Sequence, residues 1–184
     1  MFHITYKQKS IIAVSDTHGR HGELHIPPTD FLIHCGDACT DGNKSQLDNS
    51  FRWFALQPAR HKLFIAGNHN LPFDLEPEEA INMIPPEIVY IENRKVIIEG
   101  IVFYSVAARP WLHELPDTKG EIDFLLTHGP AYSIVDLGVG CHKLLSYVRQ
   151  TPPAYHLFGH IHELAQQDQK TKETTFFNVC IKNN

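Results

Sequence analysis

Short apolar segments that each end in a polar motif constrain the fold of this chain more than any other feature. Such segments lie at residues 11–15, 31–35, 63–66, 122–127 and 155–158. Near-continuous apolar strands are typical of a β-sheet that is covered on both faces. Side chains that follow the carboxyl ends of such strands assemble at one edge of the sheet. We therefore expect residues that are distant in sequence to form one site.

The polar motifs carry side chains that can bind metal ions. In chain order they are Asp16-Thr17-His18, Gly36-Asp37, Gly67-Asn68-His69, His128-Gly129 and Gly159-His160-Ile161-His162. Their carboxylate, carboxamide and imidazole groups suit Mn, Fe, Zn, Co or Ni better than Ca or Mg alone. They are numerous enough to hold two divalent cations side by side. Such a pair, about 3.5–4 Å apart, is a common means of attacking phosphate esters.

The remaining segments predict an α/β protein. Apolar side chains at helical spacing, with prolines close behind, predict helices over residues 43–57, 76–84 and 141–149. Segments rich in β-forming residues at 88–91, 96–99 and 101–106 indicate a meander, and 164–169 and 174–180 are expected to be closing strands. A chain of 184 residues without repeats or linkers suits a single domain over residues 1–184.

Composition restricts the partners that the chain can have. It carries 16 Lys+Arg against 21 Asp+Glu, a formal net charge of -5, and no basic cluster. This balance disfavours long nucleic acid as a partner, whereas a small phosphorylated substrate is compatible because bound cations reverse the local charge.

We expect no membrane partner, since no apolar run reaches the roughly 20 residues that cross a bilayer. We also expect a cytoplasmic location, because the first residues lack a signal-peptide pattern. The cysteines are expected to be free and mostly buried: Cys35, Cys39, Cys141 and Cys180.

The ordered motifs resemble those of the calcineurin-like metallophosphoesterases, over residues 11–162 at least. The local sequences around four of these motifs are similar to those of the small metallophosphoesterase-domain-containing branch. They are Ser15-Asp16-Thr17-His18, His34-Cys35-Gly36-Asp37, Ala66-Gly67-Asn68-His69 and Thr127-His128-Gly129-Pro130. That branch includes phosphodiesterases reported to act on cyclic nucleotides and aryl phosphodiesters. The resemblance implies the metallo-dependent phosphatase fold, a four-layer αββα sandwich of two mixed β-sheets flanked by helices.

The resemblance also implies a role for each motif residue. The first metal ion would be held by Asp16, His18, Asp37 and His162, and the second by Asp37, Asn68, His128 and His160. Asp37 would bridge the two ions, and a hydroxide between them would attack phosphorus directly. Mn is the expected metal, with Fe, Zn, Co and Ni as alternatives. His69 would not bind metal but would act as general acid or as a donor to the phosphoryl oxygens, so that Asn68 and His69 contact the substrate phosphate.

Several neighbouring residues have two interpretations each. The third motif is often followed by Asp or Glu in this family, whereas Asn70 stands here, and Asp41 is the candidate carboxylate to orient His69. His34 is expected to pack within its strand rather than to hydrogen-bond a metal ligand. Arg20 and Arg109 are expected to be solvated at the surface rather than bound to substrate phosphate.

Three functions are compatible with the motifs. The favoured one is a dinuclear metal-dependent phosphoesterase that hydrolyses small phosphodiesters, with cyclic nucleotides among the candidate substrates. The alternatives are a nuclease of the same superfamily and a non-enzymatic metallophosphoesterase-like scaffold. The acidic charge balance disfavours the nuclease, and the presence of His69 and all seven expected ligands disfavours the scaffold. The sequence leaves open the oligomeric state, the physiological substrate and the preference between monoesters and diesters.

Overall fold

The computed structural model describes residues 1–117 and 120–181. Residues 118–119 and 182–184 of the predicted domain lie outside the described part of the chain. The described chain folds into two mixed β-sheets with helices on either side.

The first sheet contains five strands in chain order. They are β1 (Phe2–Tyr6), β2 (Lys9–Val14), β3 (Thr29–Cys35), β4 (Ala59–Ile65) and β5 (Ile88–Tyr90). β1 pairs antiparallel with β2, whereas β2 to β5 run parallel to one another. The loops that follow β2, β3 and β4 therefore leave the same edge of the sheet, side by side.

The second sheet contains six strands, in the order β10-β11-β9-β8-β7-β6. They are β6 (Arg94–Ile98), β7 (Ile101–Ser105), β8 (Phe124–Leu126), β9 (Tyr155–Phe158), β10 (Asp168–Lys170) and β11 (Thr175–Asn178). The four inner strands are parallel, and the edge strands β6 and β10 are antiparallel to their neighbours. The loops after β8 and β9 again leave one edge together.

Within the described residues, four α-helices cover the sheets: α1 (Lys44–Ala55), α2 (Pro72–Leu75), α3 (Pro77–Asn82) and α4 (His142–Gln150). α1 begins after Asn43, whose side chain accepts a hydrogen bond from the backbone N–H of Gln46. This contact satisfies one of the free N–H groups of the first turn. The three helices predicted from the sequence are present within about two residues of their predicted ends. The single-turn helix α2 was not predicted.

Alternating side chains along the strands create three separate hydrophobic interfaces. Ile11 packs into the core between the two sheets, while its neighbour Ile12 packs beneath α1. In the second sheet, Leu126 faces the first sheet, and Leu125 packs beneath α4. Three interfaces separate four layers, so the predicted four-layer sandwich is confirmed.

The predicted meander is wrong. β5 joins the first sheet beside β4, whereas β6 and β7 form a hairpin at the edge of the second sheet. The chain crosses between the sheets at Asn93, which has a φ of 49°. Segment composition indicates a strand but does not reveal which sheet it joins, and this ambiguity is the cause of the error.

Two further segments differ from expectation. β1 was not predicted; it covers the edge of β2 and places Phe2 in the central core. The predicted strand at 164–169 begins only at Asp168, because residues His162–Leu164 form a 3-10 helix and Gln166 has a φ of 65°. The left-handed backbone at Gln166 interrupts an extended strand at this point.

All four cysteines are free and buried, as predicted. In the described ranges, the helices are all too short or too polar to cross a lipid bilayer.

Candidate metal centre

The loops after five parallel strands, three from the first sheet and two from the second, meet at one end of the sandwich. Within the first sheet, the backbone N–H of Asp16 donates to the carbonyl of Gly36 at 3.0 Å, and the N–H of His18 donates to the carbonyl of Asp37 at 3.0 Å. Between the sheets, the N–H of His160 reaches both carboxylate oxygens of Asp16, at 3.2 and 3.0 Å. Hydrogen bonds donated by backbone N–H groups thereby join motifs that are up to 144 residues apart.

Several predicted ligands have a left-handed backbone. A positive φ occurs at Asp16 (58°), His18 (43°), Asp37 (56°) and His160 (72°). Residues other than glycine adopt this region at an energetic disadvantage, so the loops that carry these side chains are conformationally restricted.

The first cluster of ligand atoms surrounds one oxygen of Asp16. The Nε2 atom of His162 lies 3.2 Å from Asp16 Oδ1, and the Nε2 atom of His18 lies 3.9 Å from it. The two imidazole nitrogens are 3.3 Å from each other. Asp16, His18 and His162 therefore bring one carboxylate and two imidazoles close enough to share a cation.

The second cluster is centred on Asp37 and is almost entirely buried. His128 Nε2 lies 3.1 Å from Asp37 Oδ2 and 4.0 Å from Asp16 Oδ1. The same oxygen of Asp37 is 4.0 Å from His18 Nε2, in the first cluster. Asp37 and Asp16 thus each have a carboxylate oxygen within 4.0 Å of imidazole nitrogens in both clusters.

Backbone carbonyls fix the orientation of two imidazoles. Nδ1 of His128 is 2.9 Å from the carbonyl of Cys35, and Nδ1 of His18 is 3.3 Å from the carbonyl of Cys39. A carbonyl only accepts hydrogen bonds, so each Nδ1 carries the proton and each Nε2 presents its lone pair to the cluster when the ring is neutral. This tautomer is the one that binds metal through Nε2.

A buried polar atom without a hydrogen-bond partner indicates that the cluster suits a cation. Asn68 Oδ1 is buried and makes no hydrogen bond. An unpaired buried polar atom is costly in free energy, by about 1–3 kcal/mol. The combined donor set of carboxylate, amide oxygen and imidazole nitrogen fits divalent Mn, Fe, Zn, Co or Ni.

The remaining predicted ligand, His160, lies at the margin of the second cluster. It is partly buried, and its ring centroid is 5.3 Å from that of His128. Asp16, His18, Asp37, His128 and His162 thus form the two close groups, with His160 beside them.

Burial and mutual charge shift the pKa values of the cluster in opposite directions. Burial raises the pKa of Asp16, but the charge of His128 and a hydrogen bond from His162 outweigh it and lower the pKa overall. Burial likewise acts against the charged form of Asp37, and His128 again lowers its pKa. For His128, burial is outweighed by the charges of Asp37 and Asp16, which raise its pKa to about 9. The metal-free site therefore holds a buried imidazolium between two carboxylates.

We predict that divalent metal binding is linked to proton release. His128 has a pKa of about 9 in the metal-free protein, and it must lose a proton before Nε2 can bind a cation. Affinity for Mn²⁺ should therefore rise about tenfold per pH unit between pH 7 and 8 and level off above pH 9. Titration calorimetry in buffers of different ionisation enthalpy measures the released proton directly. An affinity that does not change between pH 7 and 8 contradicts this linkage.

Two glycines in the motifs allow close approach at the centre. A Cβ at Gly67 would lie 2.2 Å from Asp37 Oδ1, and a Cβ at Gly159 would lie 2.2 Å from Asp16 Oδ2. Both distances are far below van der Waals contact, so any other residue displaces a carboxylate of the cluster. This explains the glycine that precedes Asn68 and the one that precedes His160.

His69 lies beside the clusters and is positioned from two sides. Its backbone N–H donates to Asp37 Oδ1 at 2.8 Å, and its Nδ1 lies 2.8 Å from Asp41 Oδ1. Its ring centroid is 5.1 Å from that of His18, in an edge-on arrangement. A carboxylate only accepts hydrogen bonds, so Nδ1–H donates to Asp41 and Nε2 is left for another partner.

Asn70 is a structural residue that the motifs alone did not reveal. Its side chain is fully buried, and its Oδ1 accepts hydrogen bonds from the backbone N–H groups of Asp37 at 2.8 Å and Gly67 at 2.9 Å. Its Nδ2 donates to the sulfur of Cys39 at 3.3 Å. Asn70 therefore fastens the loop that carries Asp37 to the loop that carries Asn68.

The residues with open interpretations are placed as follows. His34 is buried, packs against Phe64 and pairs with the hydroxyl of Thr17 at 3.1 Å, so it lies within the strand core as expected.

The two arginines differ in their surroundings. Arg20 pairs with Glu23 at the surface. Arg109 differs from expectation: its side chain is only 11% exposed and pairs with Glu92 and Asp74, because these two acidic residues cover it.

Comparison with known proteins agrees with this geometry. A model of the family described as calcineurin-like phosphoesterase matches residues 9–164. Metallophosphoesterase domain-containing protein 1 of Homo sapiens is 31% identical over 197 residues, covering 83% of this chain and 60% of the human protein. A UPF0046 protein of Caenorhabditis elegans is 29% identical over 208 residues, covering 95% of this chain and 71% of that protein. The chain thus spans about three fifths of the length of its human relative.

Solved structures share the fold. A phosphopantetheinyl hydrolase from Mycobacterium tuberculosis superposes with a TM-score of 0.68 at 13% identity, covering 94% of this chain and 89% of that one. TT1561 of Thermus thermophilus superposes with a TM-score of 0.63 at 14% identity, covering 92% and 88%. Such low identities establish the sandwich alone, whereas the family match extends over the motifs that build the metal centre. The chain belongs to the calcineurin-like phosphoesterase family.

Proposed function

We propose that the chain is a metal-dependent phosphoester hydrolase that acts on small phosphodiesters, with cyclic nucleotides among the candidate substrates. The observation that carries this proposal is the convergence of two carboxylates and three imidazoles from both sheets, in which each imidazole Nε2 lies within 4.0 Å of a carboxylate oxygen. Family membership supports the reaction class, and the resemblance to the small phosphodiesterase branch supports the diester preference.

In this proposal, the residues hold two divalent cations, with manganese favoured. Asp16, His18 and His162 would hold the first, Asn68, His128 and His160 would hold the second, and Asp37 would contact both. When bound, the pair supplies positive charge for phosphoryl oxygens and lowers the pKa of water. The net charge of the chain, -5, favours a small substrate drawn to this local positive charge over a long polyanion.

His69 is proposed to act on the substrate rather than on the metals. Asp41 holds Nδ1 of its ring, so Nε2 remains for a phosphoryl oxygen or for the leaving group. Its side chain is 39% exposed, in contrast to the buried His128, so a substrate can reach it. We assign it proton donation, with Asn68 beside it at the phosphate.

The proposal also includes the location and the partners. The four free, buried thiols support a reducing compartment such as the cytoplasm, and the partner we propose is a small phosphorylated molecule.

We predict a small effect for Asp41→Asn. The Asp41 side chain is 78% exposed, and ion pairs of this kind contribute about 0.2–1 kcal/mol. We therefore expect kcat to fall by no more than about fivefold, with Mn²⁺ affinity unchanged, since Asp41 contacts the ring of His69 and none of the proposed ligands. Steady-state kinetics and metal titration of the same preparations measure both. A loss of Mn²⁺ binding contradicts the proposed division between His69 and the ligands.

The proposed activity is tested by metal analysis followed by a substrate panel. Purified protein is expected to bind two Mn²⁺ ions per chain. It should then hydrolyse an aryl phosphodiester or a 2′,3′-cyclic nucleotide faster than an aryl phosphomonoester. Faster cleavage of long DNA than of small diesters would instead favour the nuclease. A chain that binds two metal ions but hydrolyses none of these substrates would favour the scaffold.

A further inference from the structure

Asp16 presents its two carboxylate oxygens to different partners. Oδ1 faces the cluster, 3.2 Å from His162 Nε2 and 3.9 Å from His18 Nε2. Oδ2 faces the protein interior, where the thiol of Cys180 donates to it at 2.9 Å. The backbone N–H of His160 reaches both oxygens. The hydrogen bonds to Oδ2 therefore restrict the rotation of the Asp16 carboxylate and thereby the direction in which Oδ1 points.

Cys180 is held in place by backbone contacts on both sides. It forms a parallel β-bridge with Ser15, and the next residue, Ile181, donates its N–H to the carbonyl of Ser15 at 3.1 Å. Its own N–H donates to Asn178 Oδ1 at 3.0 Å, and Val179 donates to the carbonyl of Phe158 at 2.7 Å. The segment after β11 thus links the end of β2 to the second sheet and delivers a fully buried thiol to Asp16.

We propose that Cys180 is a positioning residue for the metal centre: its thiol binds Oδ2 of Asp16 and holds Oδ1 toward His18 and His162. This inference rests on the proposed function, because it assigns Cys180 to the site where the first cation would bind. None of the sequence motifs includes Cys180, which lies 164 residues from Asp16 in the chain. Its role follows only from the contact between the two side chains.

The proposal separates hydrogen-bond donation from simple packing. Serine keeps a donor at position 180, alanine removes it, and valine removes it while filling the space of the sulfur. If donation matters, Cys180→Ser should bind Mn²⁺ within a few-fold of the wild type. Cys180→Ala and Cys180→Val should bind one of the two Mn²⁺ ions about 10–100-fold less tightly, the usual effect of losing an outer partner of a metal ligand.

The experiment measures free Mn²⁺ by electron paramagnetic resonance during titration of the full chain, for the wild type and all three variants. Thermal unfolding of the metal-free proteins is recorded in parallel, so that affinity is compared only among folded chains. Recovery of affinity in Cys180→Ser together with its loss in Cys180→Val supports the proposal. Four equal affinities overturn it, as does retained affinity in Cys180→Val with a loss in Cys180→Ala, which would show that the sulfur acts by packing alone.

The outcome for the wild type is independent of the variants. A wild-type protein that binds two Mn²⁺ ions and hydrolyses diesters supports the proposed function even if Cys180 proves irrelevant. A wild-type protein that binds no Mn²⁺ refutes the proposed function and, with it, the role of Cys180.

Discussion

Asp37→Asn is expected to lose bound metal and activity together. Asp37 Oδ2 is 3.1 Å from His128 Nε2 and 4.0 Å from His18 Nε2, so this carboxylate contacts both clusters, and in the proposed function it is the bridge. A neutral amide removes the charge that both cations would share, and its NH₂ nitrogen has no free lone pair to offer to either. Paired metal ions supply several kcal/mol of transition-state stabilisation, so we expect kcat/KM to fall by at least about 10³.

The measurement is metal content of the dialysed protein alongside diesterase activity. Asp123→Asn is a matched control, because Asp123 is also a largely buried carboxylate that accepts hydrogen bonds, from Tyr6 and Lys7, but it lies before β8, away from the site. The control should retain two Mn²⁺ ions and full activity. Two tightly bound Mn²⁺ ions in Asp37→Asn would show that the bridge is elsewhere.

The site was predictable from sequence because local rules and topology agree there. Each apolar run is long enough to be a strand and is followed at once by its predicted ligand, as in Cys35 and Gly36 before Asp37. Parallel pairing then brings the strand ends together without further information. The family resemblance supplied the division of the ligands between two ions, which spacing alone does not give.

Other parts of the fold and of the site depend on contacts that no local sequence pattern encodes. β5 and β6 are adjacent in sequence and similar in composition, yet they belong to different sheets because of pairing with β4 and β7. Asn70 appeared to be a departure from the motif, whereas its amide joins two ligand loops through Asp37 and Gly67. No local pattern identifies Cys180, because its partner Asp16 is 164 residues away and follows a strand of the other sheet.

His69→Ala is expected to keep both metal ions and lose turnover. The backbone N–H of residue 69, which donates to Asp37 Oδ1 at 2.8 Å, remains in the variant, and the ring itself lies outside the two ligand groups. Removal of a general acid typically lowers the rate by about 10²–10⁴, and we expect kcat to fall in that range with Mn²⁺ stoichiometry unchanged. His25→Ala, which removes an exposed histidine outside the motifs, is the control. Equal turnover in His69→Ala and wild type would exclude the ring from the reaction.

The leaving group distinguishes the two roles that His69 can have. A general acid matters most when the departing oxygen is strongly basic, because that oxygen needs a proton as the bond to phosphorus breaks. A donor to the phosphoryl oxygens stabilises charge that is similar for every leaving group. If Nε2 is the acid, the loss in His69→Ala should be small for a diester that releases nitrophenolate and large for one that releases an alkoxide. A uniform loss across such a series would assign His69 to phosphate binding, where it would act together with Asn68.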